Sequence, residues 1–265
     1  MIGPRVVWAD FVQSGAPAHV HEQAPSCEGE AYGRWVFGCP TCRNTGPSNR
    51  ATRLHAGALF LPGEAILSAT GLTPVEEKRA LRAAVLAARS ALPAADRLER
   101  SHAIAQRLEE VPCFRDARTL ALYAALGAEV DASGIAAGAA SRGVLLVYPR
   151  IVPGDRRLAF ARCAPEALVR GPMGALEPPA EAPPVPRDAV DCVLMPGVAF
   201  SPDGHRLGRG GGYYDATLEA MPRAARVGLA FDLQLVPALP AEGHDARLDA
   251  LVTEARVLLF RRESR

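Results

Sequence analysis

At 265 residues with a formal net charge of +1 at pH 7, the chain has room for one large domain or two small ones, each able to bury a core. No apolar stretch is long enough to span a bilayer, and the neutral balance argues against a general nucleic-acid binder, which carries a basic excess. A local basic cleft for an anionic ligand stays compatible with that balance.

Residues 1–70 show little periodicity: Gly, Pro, Ser and His recur without a repeating apolar face, and 43–50 (Arg-Asn-Thr-Gly-Pro-Ser-Asn-Arg) reads as loop. The segment is expected to be a poorly structured, loosely attached extension. Residues 1–20 lack a sustained apolar core followed by a small-residue cleavage site, which points to a cytoplasmic enzyme. Cys39-Pro-Thr-Cys42 has the spacing of a metal knuckle, with Cys27, His19, His21 and His55 as available partners, yet no second paired knuckle follows. A disordered leader, or translation from a start codon placed too far upstream, accounts for the segment without zinc. Cys113, Cys163 and Cys192 fall singly in apolar or strand-like surroundings and read as buried reduced thiols.

A folded domain is expected over 71–265. Thr73-Pro-Val-Glu76 has the form of a helix start, with a hydroxyl cap, proline at the first helical position and glutamate three residues on. Leu81, Val85, Ala88 and Leu92 then recur at helical spacing, while Lys78, Arg82 and Arg89 occupy an adjoining face. A second helix is predicted over 95–111 with Ile104, Leu108 and Val111 inward, and further helices over 133–142 and 212–221. Strands are predicted at Thr119–Ala124, Val144–Tyr148, Val190–Met195, Arg226–Ala230 and Val257–Phe260. This β-α-β rhythm predicts an α/β fold, a three-layer αβα single domain of Rossmann-like type with a mostly parallel sheet. Residues 170–187, rich in proline, are expected to be an irregular connection.

The richest segment is Arg206-Leu-Gly-Arg-Gly-Gly-Gly-Tyr-Tyr-Asp215, which follows the strand-like run Val193–Phe200 and a turn at Ser201-Pro-Asp-Gly204. Glycines let the backbone approach an anion without Cβ obstruction, and amides at a helix start point toward it. Arg206 and Arg209 add positive charge, Tyr213 and Tyr214 offer flat faces, and Asp215 offers a metal-binding oxygen. Three glycines alone make an ordinary flexible turn. The pattern is not a Walker loop, since no Gly-Lys-Ser/Thr follows, and it lacks the acidic ribose partner of a dinucleotide fingerprint.

Pro196-Gly-Val-Ala-Phe200 followed by Arg206–Asp215 resembles the signature of the 5-formyltetrahydrofolate cyclo-ligases, or methenyltetrahydrofolate synthetases. Other pieces are similar in order: Lys78-Arg-Ala-Leu-Arg82, Leu122–Asp131, Tyr148-Pro-Arg150, Gly174-Ala-Leu-Glu-Pro178, Gly228–Gln234 and His244–Asp249. The likeness covers about residues 73–260.

That resemblance implies ATP-dependent conversion of 5-formyltetrahydrofolate to 5,10-methenyltetrahydrofolate with release of ADP and phosphate. By it, Lys78, Arg79, Ala80, Leu81, Arg82, Arg150 and Arg206, Leu207, Gly208, Arg209, Gly210, Gly211, Gly212, Tyr213 and Tyr214 would bind ATP. Arg82, Glu129, Arg209, Gly210, Gly211, Gly212 and Tyr213 would meet the folate, and Lys78 and Arg209 would act in catalysis. Asp215 and Asp245 would hold Mg²⁺, with Asp249 a near neighbour of the second. The expected partners are these two small molecules, with no nucleic acid or membrane, in a monomer or small homo-oligomer. A non-catalytic member that holds folate or nucleotide without turnover is the alternative, and another enzyme on a similar scaffold is a third reading.

Overall fold

The computed structural model describes residues 7–8, 73–240 and 246–261. The expected extension over 1–70, including Cys39 and Cys42, lies outside the described residues apart from Val7–Trp8.

Thr73 caps the first helix as the sequence predicts. Its hydroxyl accepts from the Glu76 N–H at 3.4 Å, and its own N–H donates to Glu76 Oε2 at 2.9 Å, closing a capping box ahead of α1 (Pro74–Ala91). Leu81 and Val85 are buried on α1, and Ala88 and Leu92 pack partly against the core. Next come α2 (Ala94–Leu108) and the one-turn α3 (Pro112–Arg115), with Ile104, Leu108 and Val111 fully buried. The other two α-helices among the described residues are α4 (Ser133–Ser141) and the short α5 (Tyr213–Glu219).

The main sheet has nine described strands. In chain order they are β1 (Val7–Trp8), β2 (Thr119–Ala121), β3 (Leu145–Arg150), β4 (Ala159–Arg162), β7 (Pro184–Val185), β8 (Cys192–Met195), β11 (Ala225–Leu229), β12 (Ala250–Val252) and β13 (Val257–Leu259). Two hairpins stand apart from it: β5 (Val169–Arg170) with β6 (Leu176–Glu177), and β9 (Ala199–Phe200) with β10 (Arg206–Leu207). Across the main sheet the order is β1-β13-β12-β11-β8-β2-β3-β4-β7. The run β12-β11-β8-β2-β3 is parallel, whereas β13 and β4 join it antiparallel. Numbered by chain order, these five parallel strands read 2-1-3-4-5, so the winding reverses between β2 and β8. That is the topological switch point, where open α/β sheets leave a crevice beyond the carboxyl ends of the strands.

Alternate strand residues feed two cores, as expected for a sheet covered on both faces. Leu120, Leu122, Leu146, Leu194, Leu229 and Val252 pack with residues of α2, α3 and α4. Ala121, Val147, Val193, Met195 and Leu251 pack with Leu218 of α5 and Met221. A third cluster joins Leu81 and Val85 of α1 to Val198, Ala199, Leu207 and Val236, which anchors α1 beside the end of β8. Some expectations change. Strands β4 and β12 were not predicted, and the 170–187 connection holds the end of β5, all of β6 and the edge strand β7, whose Pro184 suits an edge position.

Candidate active site

A cleft of about 580 Å³ opens at the switch point. Its floor comes from residues just past strand ends: Tyr123 and Ala124 after β2, Pro149 and Ile151 at the end of β3, Pro196 and Gly197 after β8. One wall is Arg206 through Asp215, another is Lys78 and Arg82 of α1, and a third is Met173, Ala175, Leu176 and Glu177 of the β5–β6 hairpin.

The glycine loop follows directly from β10, which the β9–β10 hairpin fixes by pairing Arg206 with Phe200 and Leu207 with Ala199. Gly210 and Gly212 have φ of 103° and 67°, so the loop turns through conformations that residues with a Cβ avoid. Arg82 Nε donates to the Gly208 carbonyl at 2.9 Å, tying α1 to the loop. Arg156 Nη2 donates to the Gly211 carbonyl at 3.3 Å from the β3–β4 connection. A Cβ built on Gly212 would lie 2.7 Å from Arg156 Nη2. Gly212→Ala is therefore expected to displace Arg156 and to cost about 1–2 kcal/mol for the left-handed backbone, read by urea unfolding.

Two ion pairs organise the walls. Arg206 Nη2 meets Asp215 Oδ1 at 2.9 Å, with the Arg206 side chain 4% exposed and that of Asp215 31% exposed. The Arg206 guanidinium also lies 5.4 Å from the centre of the Tyr214 ring. Burial pushes the Tyr214 phenol well above the usual range, and Arg206 pulls the other way. Opposite, Arg209 donates to Glu129 Oε1 through Nη2 at 2.9 Å and Nε at 3.1 Å. Glu129 Oε2 accepts from the Leu126 N–H at 3.0 Å across the turn at Gly127, and Tyr123 OH bonds the Val130 carbonyl at 2.9 Å. These bonds fix the Glu129 carboxylate at the mouth of the β2 end.

Most residues named by resemblance meet here: Lys78, Arg82, Glu129 and the whole run Arg206–Asp215 line the cleft. Arg79, Ala80 and Leu81 do not; Leu81 is buried in the third core cluster, as the helical repeat dictates. Arg150 is also outside the lining, because its Nη1 is turned to the carbonyls of Pro179 and Ala180 at 3.0 Å each. Asp245 lies outside the described residues, and Asp249 is no substitute, since it does not line the cleft and its Oδ2 instead accepts from the Arg226 N–H at 2.7 Å. Among the described residues no group of three or more His, Cys, Asp or Glu gathers as a metal site.

Several lining residues were not anticipated. Arg156 and His205 carry no local sequence signal. Glu177 lay within the quoted Gly174–Pro178 piece without a role; it is buried, accepts from the Ile151 N–H at 3.1 Å, and burial raises its carboxyl above the usual value.

The chain is 32% identical over 174 residues to a 5-formyltetrahydrofolate cyclo-ligase of Escherichia coli (strain K12), covering 64% of this chain and 96% of that protein. It is 27% identical over 190 residues to the Mus musculus protein of the same name, covering 67% and 93% respectively. Among solved structures, 5,10-methenyltetrahydrofolate synthetase of Aquifex aeolicus aligns with a TM-score of 0.62 at 32% identity, covering 71% of this chain and 95% of that one. The Mycoplasma pneumoniae synthetase aligns at 0.56 and 27% identity, covering 67% and 98%. Residues 74–254 match the model of the 5-formyltetrahydrofolate cyclo-ligase family, and the chain belongs to that family.

Proposed function

We propose that this cleft converts 5-formyltetrahydrofolate and ATP to 5,10-methenyltetrahydrofolate, ADP and phosphate. The observation that carries the reading is the convergence, in a chain of this family, of two basic residues of α1, the glycine loop, Glu129 and Asp215 on one crevice.

The formyl oxygen is amide-like and a poor leaving group. It attacks the γ-phosphorus, the bond from that phosphorus to the β,γ-bridging oxygen breaks, and ADP departs. The resulting iminium phosphate is attacked at its carbon by the nitrogen at position 10, which gives up its proton. The carbon–oxygen bond then breaks, phosphate leaves, and the new ring carries the positive charge. Phosphoryl transfer of this kind asks the protein chiefly for positioning and charge neutralisation.

Lys78 and Arg82 sit one helical turn apart on the cleft wall and serve the phosphates of ATP, together with the loop amides and Arg206. Glu129 accepts hydrogen bonds from the amino groups of the reduced folate. Arg209 stands beside Glu129 and supplies guanidinium donors to the oxygen that changes bonds. Asp215 fits Mg²⁺, being a hard oxygen donor on the cleft whose Oδ1 alone is taken by Arg206, and Mg²⁺ typically needs one or two carboxylates beside phosphate and water. Asp215, with Asp245, would hold the ion, which would neutralise phosphate charge. Arg150, given its carbonyl partners, is left out of the phosphate set.

A cytoplasmic setting belongs to the same reading; Cys163 and Cys192 are reduced thiols, which suits a reducing compartment. No described helix is long and apolar enough to cross a membrane. The test is the appearance of methenyltetrahydrofolate absorbance from 5-formyltetrahydrofolate. It is expected with ATP and absent without it, and no signal with ATP and Mg²⁺ would sink the assignment.

A further inference from the structure

Arg89 shares a helical side with Lys78 and Arg82, two turns beyond the second, yet it ends up elsewhere: its side chain is 3% exposed and it does not line the cleft. A buried guanidinium is costly unless it is paired and bonded. Its Nη2 lies 3.9 Å from Glu129 Oε1, and its Nη1 donates to the Gly197 carbonyl at 3.1 Å. Burial depresses the guanidinium's proton affinity, and the Glu129 carboxylate restores part of it.

The carbonyl that holds Arg89 is itself fixed. Gln234 Nε2 donates to Gly197 O at 2.9 Å and to Val198 O at 3.0 Å, while Gln234 Oε1 accepts from the Phe231 N–H at 3.0 Å. A Cβ on Gly197 would fall 2.5 Å from Phe200 Cζ, so that glycine is pressed against the core where β8 ends. The result is a rigid line: Gln234, Gly197 carbonyl, Arg89, Glu129, and finally Arg209. Only the last member is exposed, its side chain being 47% exposed against 7% for Glu129.

Two guanidinium groups thus share one carboxylate oxygen, one fixed beneath it and one exposed above it. On the reading of Glu129 as the folate carboxylate, a folate whose amino groups bond it would take the position Arg209 holds, and Arg209 would turn to the reacting oxygen. A buried carboxylate left by its exposed partner still needs a counter-charge. We propose that Arg89 is a positioning residue for the reaction: it acts through Glu129, holding that carboxylate aimed while Arg209 exchanges Glu129 for the substrate. The inference rests on the reading of Glu129 as the folate-binding carboxylate.

The experiment is a double-mutant cycle on the full chain, with KM for 5-formyltetrahydrofolate and for ATP and kcat measured for the parent, Arg89→Met, Glu129→Gln and the double variant. Arg89→Met is expected to raise folate KM about tenfold or more and to leave ATP KM within about threefold. In the Glu129→Gln background the same change should alter folate KM by less than about threefold, because the group it acts through is gone. Equal factors in both backgrounds would mean a merely structural role, and an unchanged folate KM in Arg89→Met would mean no role; either overturns the proposal. Should Arg89→Met not fold, Arg89→Lys decides. An ammonium is a single compact charge without the planar fork that places separate nitrogens toward Gly197 O and Glu129 Oε1, so its folate KM should rise in the parent background and not in Glu129→Gln. The same rise in both, or in neither, would overturn the proposal. A parent-like folate KM in Glu129→Gln alone would show that the reading of Glu129 has failed, and Arg89's role falls with it.

Discussion

Arg209→Ala is expected to lower kcat about 100- to 1,000-fold, the loss typical of removing one preorganised donor from a developing charge. The same change should not raise folate KM, because it removes the group that occupies Glu129 Oε1 through two hydrogen bonds. A fall in kcat without a rise in folate KM is the mark of an interaction made in the transition state. It also separates Arg209 from Lys78 and Arg82, whose loss should weaken ATP. Arg209→Lys should recover little, since an ammonium lacks the planar fork that can reach two acceptors at once. Steady-state kinetics in both substrates decide the matter, and a kcat within about tenfold of the parent would remove Arg209 from the catalytic set.

Asp215 should have two separable roles. Asp215→Ala strips the partner from a guanidinium that is 4% exposed, rests near the Tyr214 ring and reaches Pro196 O only at 3.5 Å. Breaking a fully buried pair costs roughly 3–5 kcal/mol; with Asp215 31% exposed, about 2–3 kcal/mol is expected here. Asp215→Asn keeps an oxygen acceptor for Arg206 and should lose much less stability. Both variants should lose more than about 100-fold in activity through the weakened Mg²⁺ site. Thermal unfolding provides the independent readout: ATP with Mg²⁺ should raise the parent's Tm and leave that of Asp215→Asn nearly unmoved. Parent-like ligand stabilisation in Asp215→Asn would leave the ion pair as the residue's whole purpose.

The glycine loop was legible because its residues are contiguous, and Thr73 because a capping box is a local device. The parallel sheet was legible from the alternation of apolar runs and helices. What escaped depends on distance in the chain. Strand β12 is three apolar residues after Asp249, too few to carry a period, and it exists because β11 and β13 flank it. Lys78, Arg82 and Arg89 share a helical side, yet spacing says nothing of depth: the first two reach the cleft and the third is buried under Glu129. Arg150 ends a strand near the crevice, but carbonyls 29 and 30 residues away turn its side chain aside. Arg156 approaches the loop from a connection 55 residues earlier, and no motif announces it.

The bond from Arg82 to Gly208 spans 126 residues, that from Arg89 to Gly197 spans 108, and that from Arg209 to Glu129 spans 80. During synthesis the basic helix therefore leaves the ribosome long before the loop it must meet. At about 5–20 residues per second, roughly 6–25 seconds pass between the two. Through that interval Arg89 and Leu81 have no pocket to enter, and the helix is an amphipathic segment waiting for its partners. A nascent chain stopped short of Gly208 should hold neither nucleotide nor folate, so ligands can stabilise only the finished fold and can do nothing to guide its early assembly.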